Sequence, residues 1–149
     1  MEDFVIPICY QKANEYAIKP TKADEDSAGD DLYAAIPEPI KINPGETVKI
    51  TTGLKVALPK KTFGAIFARS GLATKKGLGL ANSVGVLDAS YRGEVIVALH
   101  NHSSEVQTVE PGDRIAQLVV LPYYFCNYIE AESLSETERG EGGFGHSGT

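Results

Sequence analysis

The sequence predicts an all-β fold, closed into a barrel or stacked as a double sheet. Two features carry this: runs rich in β-branched and aromatic residues, and explicit turn chemistry between them. The runs are FVIPICY (4–10), TVKITTGLKVAL (47–58), FGAIFA (63–68), GEVIVAL (93–99) and RIAQLVVLPYYF (114–125), bounded by Gly, Pro, Asn and Asp. Only LATKK, at 72–76, has helix-forming composition, enough for about one and a half turns. Many short strands at short spacing point to closure, because closure removes exposed edges.

Taken in order, the second run is the clearest. Val48, Ile50, Thr52, Leu54, Val56 and Leu58 point one way and alternate with Lys49, Thr51 and Lys55, the signature of a half-buried strand. Asn43-Pro44-Gly45, Pro59-Lys60-Lys61 and Pro111-Gly112-Asp113 each supply a residue of fixed or permissive φ for a turn. After Phe125 the composition shifts. Residues 130–141 hold five glutamates and one arginine, and GEGGFGHSGT follows. That stretch carries no core material, so a mobile arm is expected. The reading is one domain over 1–149, with a β-barrel core at 1–125 and a C-terminal arm at 126–149.

Composition sets the outer bounds. A chain of 149 residues with 42% hydrophobic and 23% charged residues is ordinary globular material. At this length it buries roughly 68–70% of its unfolded surface, enough for a core without staples. The net charge of −6 leaves no basic field, so nucleic acid is not an expected partner. A small anion would need cations gathered locally. Two cysteines, Cys9 and Cys126, make no disulfide framework and read as reduced, buried thiols. The opening MEDFVIPICYQK lacks a cationic start and a long apolar stretch, so no secretory signal is expected. Ile115–Cys126 is broken by Gln117 and Pro122 and is too short for a membrane span. The expectation is an intracellular protein, cytoplasmic or, in a eukaryotic or viral setting, nuclear. Neither secretion nor membrane association is expected.

Several pattern matches lead nowhere. Gly140-Glu-Gly142-Gly-Phe-Gly145 spells GxGxxG, but no strand precedes it and four residues follow it. Asn101-His102-Ser103 is a glycosylation sequon without a secretory route. His100 and His102 share a strand face without a third metal ligand and read as solvent-facing histidines.

The chemistry lies in small, polar, Gly-rich segments at strand ends: SAGDDL (27–32), RSGLA (69–73), Asn82 with GVLDASYRG (85–93), GDRIAQLVV (112–120) and RGEGGFG (139–145). Singly each has a plain reading. Arg69-Ser70-Gly71 could cap a helix or hold phosphate, and Asp88, set in an expected hairpin, could be turn chemistry. Together and in this order they closely resemble the five motifs of the trimeric deoxyuridine triphosphate nucleotidohydrolases, the dUTPases.

That resemblance implies a jelly-roll-like barrel and a homotrimer with three shared sites. The first, second and fourth motifs would come from one subunit, the third from a neighbour and the fifth from the remaining one. The implied reaction is dUTP and water giving dUMP and pyrophosphate, with Mg²⁺ on the triphosphate. By the same resemblance Asp88 holds and activates the attacking water, and Asp31 orients the Mg²⁺ shell through water. Arg69, Ser70, Gly71 and Gln117 cradle the phosphates. Arg139 clamps the γ-phosphate, and Ser147 keeps a phosphate-binding hydroxyl. Asn82, Gly85, Val86 and Leu87 read the uracil edge, Tyr91 packs on the deoxyribose, and Phe144 with Gly145 closes over the base.

Ser90 stands where an aspartate is commoner, His146 and Ser147 where a Ser-Thr pair is frequent, and Asp30 where an aromatic or small residue is often found. Two other readings compete. A related dCTP deaminase would need a glutamate on the strand after Tyr91, where Ala98 stands. An idle nucleotide-binding trimer would not need Asp88, Tyr91 and Arg139 intact.

Overall fold

The computed structural model describes residues 5–144. Among these described residues ten strands form two four-stranded antiparallel sheets and a two-stranded ribbon, with one short helix beside them. In the first sheet the order is β1 (Cys9–Lys12), β4 (Thr47–Ala57), β8 (Glu94–Asn101), β6 (Leu78–Leu80). In the second it is β2 (Asp30–Tyr33), β10 (Arg114–Pro122), β5 (Thr62–Phe67), β7 (Gly85–Asp88). The ribbon pairs β3 (Ile40–Ile42) with β9 (Gln107–Val109). The helix α1 (Ser70–Lys76) follows β5 and ends at Gly77, which takes the left-handed conformation usual after a helix. One apolar cluster fills the interior, drawing Ile50, Val97 and Leu99 from the first sheet, Leu32, Ile66 and Ile115 from the second, and Ile42 and Val109 from the ribbon. The all-β, jelly-roll-like expectation holds.

The long runs lie where the alternation put them. β4 buries Ile50, Thr52, Leu54 and Val56 and exposes Lys49 and Lys55. Its pairing with β8 shifts between Thr51 and Lys55, where Gly53 (φ 64°) forms a bulge. A β-carbon on Gly53 would crowd Asn14, Ala17 and Ala35. Leu54, just past the bulge, packs with Ala17 and Ala35 in a small separate cluster. The three expected turns also form, with Gly45 (φ 74°), Lys61 (φ 64°) and Gly112 (φ 79°) at their tight positions.

Four expectations are corrected. The first run is not strand throughout: among the described residues pairing begins at Cys9, after Pro7, which has no N–H to give a ladder. The last strand ends at Pro122 rather than 125, leaving Tyr123–Phe125 outside the sheet. Cys9 and Cys126 are free but exposed, not buried. Cys9 sits on the edge strand β1, whose four residues are all exposed, and Cys126 lies beyond the last strand, so neither meets the core. Finally, the chain around Asp88 is not a hairpin. β7 pairs with β5, while β8 pairs with β4 and β6, so residues 89–93 carry the chain from one sheet to the other.

Asn101 is the polar keystone of the ribbon end. It is fully buried, and its Nδ2 donates to the Ile42 and Glu105 carbonyls at 2.9 and 2.7 Å. Its Oδ1 accepts from the Ser103 backbone N–H and hydroxyl at 2.9 and 2.7 Å. The sequon is therefore structural: its amide is occupied inside the protein. Asn101→Ala would take the amide partner from the Ile42 carbonyl and the Ser103 N–H and leave the Glu105 carbonyl only the Ser103 hydroxyl, at a cost of about 2–3 kcal/mol. A drop in melting temperature of about 4–12 °C is expected, read by calorimetry, with the Ser103–Gln107 loop losing hydrogen-exchange protection first.

Candidate active site

Two clefts hold the sequence-predicted residues that lie outside the arm. The first is built on a row across the second sheet, where Gln117 of β10 lies in register with Asp31 of β2 on one side and Phe67 of β5 on the other. Residues opposite one another in neighbouring strands share a face, so all three line one cleft of about 550 Å³. Arg69, Ser70 and Gly71 form its rim, where β5 gives way to α1.

Arg69 occupies the N-cap position but makes no side-chain cap. Its Nε instead donates to Asp31 Oδ1 at 2.8 Å, and Arg114 Nη1 approaches Asp31 Oδ2 at 3.4 Å. The plain-cap reading of Arg69 is thereby set aside. Asp31 is 7% exposed and paired with two guanidiniums, of which Arg69 lines the cleft, so the group as a whole keeps one net positive charge. Gln117 Nε2 donates to the Ala68 carbonyl at 3.0 Å, fixing the loop that presents Arg69. Gly29 lies against the same glutamine: a β-carbon there would come within 2.6 Å of Gln117 Oε1. Gly71 has open space where a β-carbon would stand, leaving the helix start approachable by a ligand.

The second cleft, about 220 Å³, is lined by Asn82, Gly85, Val86, Leu87, Asp88 and Tyr91. β7 is the edge of its sheet, so half of the backbone N–H and C=O groups from Gly85 to Asp88 face away from β5. Val86 is 66% exposed along this edge. Tyr91 is held by Oη donating to the Glu94 carbonyl at 3.1 Å, and its ring lies over Gly93, where a β-carbon would overlap it. Asp88 is exposed at the end of β7 and forms no ion pair among the described residues.

No residue lines both clefts. Ile66 lines the second and its neighbour Phe67 the first, while Val86 and Asp88, opposite Ala65 and Phe63, lie on Phe67's face of the sheet. Arg139 and Phe144 join neither. Arg139 Nε donates to the Gly142 carbonyl at 2.8 Å, and Phe144 is fully exposed. Gly145 and Ser147 lie outside the described residues. The sequence reading missed Arg114, Gly29 and Gly93 as site residues, although each stands inside a quoted motif. Their roles depend on what packs across from them.

Among the described residues no group of three or more His, Cys, Asp or Glu could hold a metal ion. His100 and His102 meet edge to face at 4.4 Å between ring centres and stay a pair. Asp31 is the sole carboxylate lining the first cleft. Each of its oxygens has one arginine partner and a second lone pair, which suits contact with a hydrated cation better than direct ligation. No described helix is long and apolar enough to cross a membrane.

Comparison with known proteins agrees with the arrangement. The dUTPase family model matches residues 15–148. A deoxyuridine 5'-triphosphate nucleotidohydrolase of Desulfitobacterium hafniense is 47% identical over 149 residues, covering 99% of both chains. That of Idiomarina loihiensis is 48% identical over 130 residues, 87% of this chain and 86% of its own. Among solved structures, a mutant dUTPase of Staphylococcus bacteriophage 80alpha with dUpNHpp superposes with a TM-score of 0.87 at 26% identity, covering 97% of this chain and 100% of that one. Five motifs in order, a shared barrel and near-complete coverage lead to one conclusion: the chain belongs to the dUTPase family.

Proposed function

We propose that this dUTP diphosphatase works as a homotrimer, cleaving dUTP to dUMP and pyrophosphate at sites shared between copies of the chain. One observation carries the shared site. The cationic cleft of Arg69 and the edge strand that ends in Asp88 have no lining residue in common. In the shared site the phosphates take the first cleft from one copy and the base takes the second cleft from another. The arm supports the same reading: Tyr124, Phe125, Tyr128 and Leu134 are each about nine-tenths exposed, more apolar surface than a lone chain ordinarily leaves in water.

In this reading Arg69, the Ser70 hydroxyl, the Gly71 backbone and Gln117 receive the phosphates. Asp31 holds Arg69 in place and faces the hydration shell of Mg²⁺ held mainly by the substrate. When bound, Mg²⁺ would neutralise charge on the leaving phosphates. The outward backbone groups of Gly85–Leu87 pair with the uracil edge as a partner strand would, and the Asn82 amide adds to them. Cytosine reverses the donor and acceptor pattern and leaves those groups unpaired. Tyr91 lies against the deoxyribose, where a 2'-hydroxyl would collide. Asp88 accepts a proton from water as its oxygen attacks the α-phosphorus, and pyrophosphate leaves on the opposite side. Arg139 and Ser147 bind the γ-phosphate, while Phe144 stacks on the base beside Gly145. The cellular consequence is less uracil in DNA and a supply of dUMP for thymidylate synthesis.

The shared site predicts a particle of three times 16.0 kDa by sedimentation, and an active monomer would refute it. Asp88→Asn keeps the shape and removes the base; dUTP affinity should hold while kcat falls about 10²–10⁴-fold, and wild-type turnover would assign the water to another group. The arm can span roughly 50–60 Å over residues 123–138, enough to reach a neighbouring site. Deleting 139–149 should leave the trimer's melting temperature unchanged, lower dUTP turnover by about 10² or more, and affect dUMP affinity far less. Full activity after the deletion would make the arm dispensable.

A further inference from the structure

Asp88 is held from two sides, and only one of them is sheet. On its N-terminal side the β7–β5 ladder fixes the chain, with Asp88 opposite Phe63. On its C-terminal side the chain leaves for the other sheet through five residues, Ala89–Gly93, that belong to no strand. A carboxylate at such a junction is only as well placed as the turn that follows it.

The turn is tied internally. The Tyr91 N–H donates to the Asp88 carbonyl at 3.0 Å. Arg92 then folds back over it: Nη1 donates to the Ala89 carbonyl at 2.7 Å and to the Tyr91 carbonyl at 2.9 Å. A single guanidinium nitrogen thus clasps both carbonyls that flank the turn. Arg92 is exposed and makes no ion pair among the described residues, so nothing else there fixes its charge. Asp88, Ala89, Ser90 and Arg92 line one open cleft, and Ser90 supplies no carboxylate to draw the guanidinium off the carbonyls.

We infer that Arg92 is a positioning residue for the hydrolytic step, setting Asp88 and Tyr91 through the backbone of the turn without touching the substrate itself. This rests on the reading of Asp88 as the group that activates water. The physical argument is one of stiffness. Removing the clasp leaves a single backbone hydrogen bond to define the exit from β7, and misplacement of about 1 Å at a reacting group can cost about 10²-fold in rate. Because the side chain is exposed and its partners are carbonyls that water can also satisfy, the barrel itself should not notice the loss.

The test is a double-mutant cycle on the full-length protein. Arg92→Ala should lower kcat on dUTP about 10–100-fold, leave KM within about threefold, and keep the melting temperature within a few degrees. Arg92→Lys, with a donor but no fork, should recover part of that loss. The Tyr91 amide should exchange faster with solvent in Arg92→Ala, and the UTP-to-dUTP rate ratio should rise. In the Asp88→Asn background, Arg92→Ala should cost less than about threefold, since both changes disable one unit. A multiplicative loss in that background, or wild-type kcat in Arg92→Ala beside an inactive Asp88→Asn, would overturn the inference alone. A fully active Asp88→Asn would instead overturn the reading of Asp88 on which it rests.

Discussion

Gln117 lies in register with Asp31 on one side of β10 and with Phe67 on the other, and the phosphate-facing cleft follows from that double pairing. β10 runs between β2 and β5, so both neighbours are fixed by backbone hydrogen bonds rather than by side-chain preference. The register brings residue 31 beside residue 69, and Arg69 finds Asp31 at 2.8 Å. A slip of β10 by one residue would turn Gln117 to the opposite face and break the row. The ion pair is a consequence of the sheet, and its role is to aim the arginine. With side-chain exposures of 27% and 10%, it is too buried for free water to compete with and too exposed to the cleft to be inert.

A protein of net charge −6 must solve a local problem to receive a triphosphate. Here Asp31 pairs with two guanidiniums, of which Arg69 lines the first cleft, and cancels only one of them, while the acidic residues of 130–141 sit on the arm, in neither cleft. Edge strands ordinarily invite unwanted pairing. In β7 the edge is four residues long and ends in a turn clasped by Arg92, so it offers a nucleobase-sized row of donors and acceptors instead of a template for another long strand. Because the two clefts have no described lining residue in common, assembly becomes part of the proposed chemistry.

Much of this was legible in the sequence, and the exceptions have physical reasons. Runs of eight residues or more, such as Thr47–Ala57 and Arg114–Pro122, display their alternation and were located to within a few residues. Strands of three or four residues, β2, β3, β6, β7 and β9, carry too few positions for any period to show. Cysteine chemistry suggested burial, yet edge and arm positions exposed both thiols.

By itself the sequence determined the class of fold, the turns, and the five polar segments with their order, because these depend on residues close together along the chain. Arg69-Ser70-Gly71 and Gly85–Gly93 announce their chemistry through composition and spacing alone. Only the tertiary structure decided that Arg69 serves Asp31 rather than capping its own helix, and that Arg114 joins them. It also decided that β7 is an edge, and that the two clefts have no described lining residue in common. Each of those outcomes is set by register and sheet order between residues tens of positions apart, and such pairing leaves no mark on any short stretch of sequence.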